Sequence, residues 1–366
     1  MKNKSLNIIS KIFRTIVAFF AILLVLSVLS KFINPQTFMP MSILSLVFPY
    51  LLVINGIFAI IYIFKLKIFC LVPILAIATS YNDISNFVRF NKSVFDENEQ
   101  KLNILSYNVD IFNHFETEQS ETKVLSIVEE ELPEIVCFQE YYENIKNKKI
   151  QKQIANFNNL KYHSISRSNK NILFGNIIFS KFPIINDSLI TFQHSKNCIV
   201  FADIVAYGDT FRIINFHLAS TGFKENDAKF INEIGLLSIN RNDLRKGLFS
   251  VLKKISVATN SRVNQTNILT TIIAKSPYSC VVCGDLNDTP YSFCYREITK
   301  NGTLKDAFGE RGVGFGKTYN GHYPSYRIDY IFYSEDFYCE SFSILNEKYS
   351  DHYPILTKLK VCKVQS

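Results

Sequence analysis

Short side chains bearing oxygen or nitrogen stand where apolar runs stop at six places in this 366-residue chain. Asn108 and Asp110 follow LNILSY, Glu140 closes EIVCFQE, and His217 ends RIINFH. Asp285 and Asn287 follow CVVCG, Asp329 stands in YRIDYIF, and Asp351 and His352 stand together in SDHYP. Any one of them reads as a cap or turn residue, because Asp and Asn readily bond nearby backbone. As a set they are chemically coherent. Carboxylates and carboxamides suit a hard divalent cation, a carboxylate can position a water, and imidazoles can donate to an anionic oxygen. No cluster of thiolates favours zinc. Cys280 and Cys283 are spaced C-x-x-C, but on a strand they face opposite ways, which makes them packing residues. The eight cysteines imply no disulfide framework.

The elements that must carry these residues follow from periodicity. LNILSYNV (102–109) alternates as a strand, and Val124, Ile127, Val128 and Leu132 mark a helix over 119–132 that Pro133 ends. Further strands are expected at 134–140, 172–179, 185–192, 198–206, 211–217, 279–284, 327–333, 340–345 and 354–361, with mostly helix over 224–274. Many hairpin-linked strands with few helices between them point to two mixed sheets packed together with helices outside.

The N-terminal part is different. Its first 82 residues hold seven basic residues and no acidic one, so the remaining chain, with 33 basic and 32 acidic residues, is nearly neutral. Three apolar runs, expected as spans at about 12–31, 43–64 and 68–81, make residues 1–82 a membrane region, and residues 83–100 a polar linker. The third run is short and reads as a span or a re-entrant piece. Basic residues before the first span place the N-terminus in the cytoplasm. Three spans, the favoured number, put the C-terminal body outside the cytoplasm; two put it inside. A bacterial cell membrane, crossed several times, is the expected location. The spans hold no ionisable residue in their interiors, which disfavours a transporter.

The junctions SYNVD, FQE, NFHL, GDLND, RIDYIF and SDHYP, in that order over residues 101–362, resemble the endonuclease/exonuclease/phosphatase superfamily. That family includes pancreatic-type deoxyribonuclease, abasic-site endonucleases, neutral sphingomyelinases and inositol-polyphosphate 5-phosphatases. The resemblance implies a four-layer α/β sandwich and divalent-metal-dependent phosphoester hydrolysis, with Mg²⁺ or Mn²⁺ as the metal. It implies Glu140 as metal ligand, with Asp110 and Asp351 as further ligands, and Asn108 orienting the metal shell or a phosphate oxygen. Asp285 would activate the attacking water and Asn287 would hold it or a phosphate oxygen. His352, oriented by Asp329, would stabilise the charge that develops, and His217 would donate to another phosphate oxygen or help the leaving group. Membrane runs before such a domain resemble a bacterial membrane-anchored branch of the family.

Other residues carry less. His114, His163, His194 and His322 match no junction and read as structural or solvated. Arg327 could touch phosphate, Thr318 and Tyr319 belong to a loop expected over the cleft, and Asn176 is assigned no role. The near-neutral body does not favour a nuclease, whose duplex grip needs a basic surface. A lipid head group or small phosphoester at a bilayer is the leading substrate class, nucleic acid the alternative, and an inactive membrane-tethered binding protein a third reading. No protein partner is implied.

Overall fold

The computed structural model describes all residues except 1, 66, 91–99, 114–118, 147, 166–171, 224–226, 228, 231–240, 301–302, 322–326 and 363–366. His114 and His322 lie outside the described residues, as does half of the expected linker (91–99). The chain forms two compact units, one of residues 1–87 with 289–296, the other of residues 88–288 with 297–366.

The first unit is built from α1 (Lys2–Ser30), α2 (Pro40–Phe64), a 3₁₀ turn (Ile68–Cys70), α3 (Leu71–Thr79) and α4 (Tyr81–Phe87). Two stretches, Ile8–Ser30 and Pro40–Phe64, are long and apolar enough to cross a membrane. Most of each is not covered by protein, and Phe19, Ile22, Ile57 and Ile60 are each more than half exposed. Outward apolar side chains on this scale are a liability in water and natural in lipid. Ser27, Ser30, Ser42 and Ser45 bond carbonyls three residues back on their own helices, which removes their polarity from any apolar surroundings. The third apolar run, Ile68–Thr79, has 12 residues, short of the roughly 20 that cross a bilayer unaided. It continues through α4. At one end Phe69 lies beside Tyr62 and under Arg14, and at the other Asp83 pairs with Lys31 at 2.5 Å. The third run therefore travels alongside α1 and in the same direction, from the level of Arg14 to the level of Lys31.

In the second unit and the segment within it, the chain runs β1 (Arg89–Phe90), β2 (Lys101–Asn108), α5 (Gln119–Glu131), β3 (Ile135–Asn144), α6 (Lys149–Asn156), β4 (Tyr162–Ile165), β5 (Ile172–Ser180), β6 (Ile184–Thr191), β7 (Cys198–Ala206), β8 (Asp209–His217) and the long helix α7 (Arg241–Ala274). Then follow β9 (Ser279–Asp285), α8 (Phe293–Thr299), β10 (Lys305–Asp306), α9 (Ala307–Arg311), β11 (Val313–Gly314), β12 (Asp329–Tyr333), β13 (Phe337–Ile344) and β14 (Ile355–Val361). One six-stranded sheet has the order β13-β14-β2-β3-β5-β4, the other β10-β12-β9-β8-β7-β6. Both are mixed, with β2–β3 and β8–β9 parallel and their other neighbours antiparallel. Their inner faces share a core that includes Ile104, Ile135, Ile178, Val200, Ile213, Val281, Ile331 and Leu359. This is the two-sheet α/β architecture expected from the strand pattern.

Most expected strands are present within a residue or two. The strand read as 134–140 runs on to Asn144, because a bulge at Glu140 lets β3 continue its pairing with β5. Helices α6, α8 and α9 are too short, at 5 to 8 residues, to show a clear apolar period.

Candidate active site

Register brings half of the site together on one sheet. Strand β9 is central, with β8 parallel on one side and β12 antiparallel on the other, and its last residue pairs with both: Asp285 opposite His217 and opposite Asp329. Gly284 just before it has φ +150°, and a Cβ there would lie 1.9 Å from the Phe216 carbonyl oxygen. Only glycine lets β8 and β9 approach closely enough for His217 and Asp285 to be partners.

The second sheet supplies the rest from less regular backbone. Asn108 ends β2, and Glu140 sits in the β3 bulge with φ +52°. A left-handed conformation at a non-glycine residue costs about 1 kcal/mol or more and turns the carboxylate out of the ladder's alternation. The loop before β14 brings in Asp351 and His352. Ser350 anchors that loop, since its hydroxyl donates to the Asn108 carbonyl at 2.8 Å and accepts from the His352 N–H at 3.1 Å.

The side chains converge. Asn108 Nδ2 lies 3.2 Å from Asp285 Oδ2 and 3.4 Å from Glu140 Oε1. His217 Nε2 is 3.5 Å from Asp285 Oδ2 and 3.8 Å from Glu140 Oε1, and it is buried with no hydrogen-bond partner. Asn287, at φ +54°, gives its backbone N–H to Asp285 Oδ1 at 2.7 Å and its Nδ2 to Asp285 Oδ2 and the Leu218 carbonyl, each at 3.0 Å. His352 Nδ1 meets Asp329 Oδ2 at 2.9 Å, while its Nε2 faces Asp285 Oδ2 at 3.7 Å and Asp351 Oδ1 at 3.9 Å. Asp110 is tied in through its backbone N–H, which donates to Asn108 Oδ1 at 3.1 Å.

The charges in this cluster are unbalanced. Burial pushes the Asp285 carboxyl up to about 6, and the nearby Asp329 charge adds to that while His352 and His217 oppose it. Burial would lower the His352 imidazole, but the Asp329 and Asp285 carboxylates outweigh it and hold the ring protonated well above its usual value. Burial also raises Asp351, which His352 only partly offsets. Asp285, Asp329 and His352 each bring one ligand atom within 4.8 Å of the others. A protonated His352 bonded to Asp329 is a donor, however, and poorly suited to ligate a metal. The donor set around Glu140 fits a hard divalent cation better, with Asp285 and Asn108 beside it and the orphaned His217 Nε2 facing the same space.

The structure gives definite partners to residues that the sequence either left without a role or, for Thr318 and Tyr319, placed only in a loop over the cleft. The Thr318 hydroxyl accepts the Ile328 and Asp329 N–H groups at 3.0 and 3.1 Å, fixing the start of β12. Tyr319 packs edge-on against His352, with ring centroids 5.2 Å apart. Buried Arg262 on α7 donates to the Ala219 carbonyl at 2.8 Å, and Gln265 accepts the Ala219 N–H at 2.7 Å, so α7 holds the loop that follows His217. Gln139 donates to Asn215 Oδ1 at 2.8 Å across the two sheets, and Asn215 returns bonds to the Phe138 and Ile177 carbonyls. Neighbouring Asn176 bonds the Cys198 and Asn215 carbonyls. A lone Thr, Gln or Arg in a periodic segment gives no signal of this kind. Arg327, considered for phosphate contact, is instead 3 % exposed, pairs with Asp306 at 2.6 Å and stacks over Phe308.

The model of the endonuclease/exonuclease/phosphatase family matches residues 105–352, and that of a domain of unknown function, DUF8431, matches residues 10–87. Among curated proteins none matches the chain. A solved endonuclease/exonuclease/phosphatase family protein from Bacteroides thetaiotaomicron is similar at 14 % identity and TM-score 0.52, covering 73 % of this chain and 99 % of that one. One from Beutenbergia cavernae is similar at 13 % identity and TM-score 0.50, covering 72 % of each chain. TDP2 from Caenorhabditis elegans aligns at 18 % identity and TM-score 0.47, over 72 % of this chain and 77 % of that one.

Proposed function

Since the chain belongs to the endonuclease/exonuclease/phosphatase family, we propose that it is a membrane-anchored, divalent-metal-dependent phosphoester hydrolase acting on a lipid head group or a small phosphoester near a bilayer. The observation that carries the hydrolase reading is Asp285, buried between the Asp329-bonded His352 on one side and the Glu140–Asn108–His217 cluster on the other.

In this reading Glu140 holds Mg²⁺ or Mn²⁺, with Asp110 and Asp351 as further ligands. When bound, the metal supplies Lewis-acid polarisation of a phosphate oxygen. Asp285 accepts the proton of the attacking water and is kept in place by both donors of Asn287. Its affinity for that proton, raised by burial, suits a base working near neutrality. Asn108 orients Glu140 and Asp285 through one amide. The His352 imidazolium, held by Asp329, faces the place where negative charge grows on phosphorus-bound oxygen. His217 Nε2, unpartnered and buried, donates to another phosphate oxygen or to the leaving group.

The anchor reading rests on the two apolar helices and takes the third run as a crossing as well. The Lys31–Asp83 pair supports this, because α1 and the third run then begin at one level and end at another. With the N-terminus cytoplasmic, the catalytic body lies outside the cytoplasm of a bacterial cell. Protease shaving of intact spheroplasts tests this: protection of the body would leave two crossings.

The activity test uses the full chain in nanodiscs with bis(p-nitrophenyl) phosphate, sphingomyelin, inositol phosphates, plasmid DNA and an abasic oligonucleotide, each with Mg²⁺ and with EDTA. Turnover that EDTA abolishes is expected, and Asp285→Asn and His352→Asn should each lower it by roughly 10²- to 10⁴-fold without unfolding. Hydrolysis of none of these esters by folded protein would end the hydrolase reading. Preference for DNA would move the substrate class to nucleic acid.

A further inference from the structure

Helix α7 concentrates the positive charge of a body that is otherwise acidic. Residues 241–274 hold six basic side chains and one acidic one, leaving 27 basic and 31 acidic residues in the rest of the chain beyond residue 82. Two of the six are committed inward: Arg262 to the loop after His217, and Lys254 to Asp227 at 2.5 Å. Arg245, Lys246 and Lys253 are exposed. So are large apolar side chains among them: Phe249 is 72 % exposed and Val257 60 %, with Leu248 and Leu252 near 40 %. Spacing puts these on one side. Arg245, Phe249, Lys253 and Val257 form a row at intervals of four, and Leu248 and Leu252 begin the next row. The opposite side is packed, with Ile255, Ala258, Arg262 and Leu269 buried, and Gly247 so close under the Phe230 ring that a Cβ would meet it at 2.1 Å.

We propose that this outward face of α7 docks on the surface of an anionic lipid bilayer. Exposed Phe, Leu and Val interleaved with Lys and Arg make an interfacial amphipathic helix: the apolar groups enter the acyl boundary and the cations meet the head groups. A nucleic-acid surface would use the cations and leave Phe249, Leu248 and Leu252 in water. The chain's own two apolar helices, long enough to cross a membrane, would tether the body to a bilayer. The docking has a consequence for the site. Lys253 and Val257 also line a groove of about 980 Å³ that reaches Ala219 and Ser220, directly after His217 and Leu218. Seating α7 on lipid would bring the mouth of that groove to the head-group layer. This last step rests on the hydrolase reading above, whereas the docking does not.

The test is spectroscopic and independent of catalysis. Six of the eight cysteines are buried, so in full-length protein Cys70 and Cys362 are replaced by serine. A polarity-sensitive fluorophore is then placed at Phe249→Cys or, as a control, at Asp209→Cys, the exposed first residue of β8 at the far end of that strand from His217. In vesicles rich in phosphatidylglycerol the position-249 probe is expected to shift to shorter wavelength and be quenched by brominated acyl chains. In phosphatidylcholine vesicles, and at position 209, it should not. Each of Arg245→Glu and Lys246→Glu should lower the docking equilibrium by roughly fivefold or more, with hydrolysis of a soluble phosphodiester unchanged. A position-249 probe that stays in water on anionic vesicles overturns the proposal. So does one equally shielded in both lipids, which would mean that protein covers the face, and one that responds to duplex DNA instead of lipid.

Discussion

On the β9 sheet, His217, Asp285 and Asp329 occupy one row of adjacent strands, each placed by ladder hydrogen bonds. On the β2 sheet, Asn108, Glu140, Asp351 and His352 come from a strand end, a bulge and a loop, placed by individual side-chain bonds. The ladder side carries the carboxylate proposed to activate water and Asp329, which bonds His352, groups whose spacing must not drift. The irregular side carries the oxygen donors proposed for the metal, where turning a carboxylate out of the pleat is what makes it available. Regular backbone gives precision, and irregular backbone gives directions that a ladder forbids.

This contrast can be broken from either side. The largest effect is expected for Gly284→Ala, which forces a Cβ to 1.9 Å from the Phe216 carbonyl and demands φ +150° of an alanine. Destabilisation of about 3 kcal/mol or more, read from the urea midpoint, should accompany loss of turnover as β8 and β9 separate. Next comes pH in EDTA. Asp285 and His352 both bind protons more tightly in the fold than in the unfolded chain. Their favourable contribution is therefore present at low pH and lost as pH rises, for Asp285 between about 4 and about 6. The melting temperature without metal should fall over that window by the equivalent of at most about 3 kcal/mol from Asp285, and Mg²⁺ should restore it at the high end. A flat profile would mean that the site's charges are balanced without a cation.

On the irregular side, Ser350→Ala removes the anchor between Asn108 and His352. It should cost about 1–3 kcal/mol of stability in denaturant titration and lower turnover, while leaving the ladder side's pH response in place. The smallest effect belongs to Asp110→Asn, because the backbone N–H that bonds Asn108 survives the change. The expected outcome is an increase of about tenfold in the Mg²⁺ needed for half-maximal activity, with little change at saturation. A collapse of saturated turnover would make Asp110 a direct participant.

The candidate site residues and the contacts that hold them were not equally legible in the sequence. Each candidate residue stands where an apolar run ends, since strands announce themselves by alternation and their ends by Asp, Asn and His. What binds those ends together left no such trace. Thr318 is expected in a loop over the cleft, but its bond to the Asp329 N–H exists only because the loop folds back beside β12. Gln139 and Asn215 read as polar interruptions of buried strands, yet they join the sheets beneath the site. Arg327 illustrates the reverse error, because a cation near a site residue is drawn to phosphate on paper but to Asp306 in the fold.

By itself the sequence determined the strand periods, the apolar N-terminal helices and the identities of the groups that can do chemistry, because these depend on side-chain type and local spacing. Only the tertiary structure decided that Asp285 faces His217 and Asp329 across one row, that Glu140 leaves its ladder at a bulge, and that α7 turns both cations and Phe249 outward. Register, bulge position and the solvent-facing side of a helix depend on partners more than a hundred residues away in the chain for some contacts, such as Asn108 with Asp285. Long-range pairing of that kind follows from packing two sheets on one core, which no local pattern encodes.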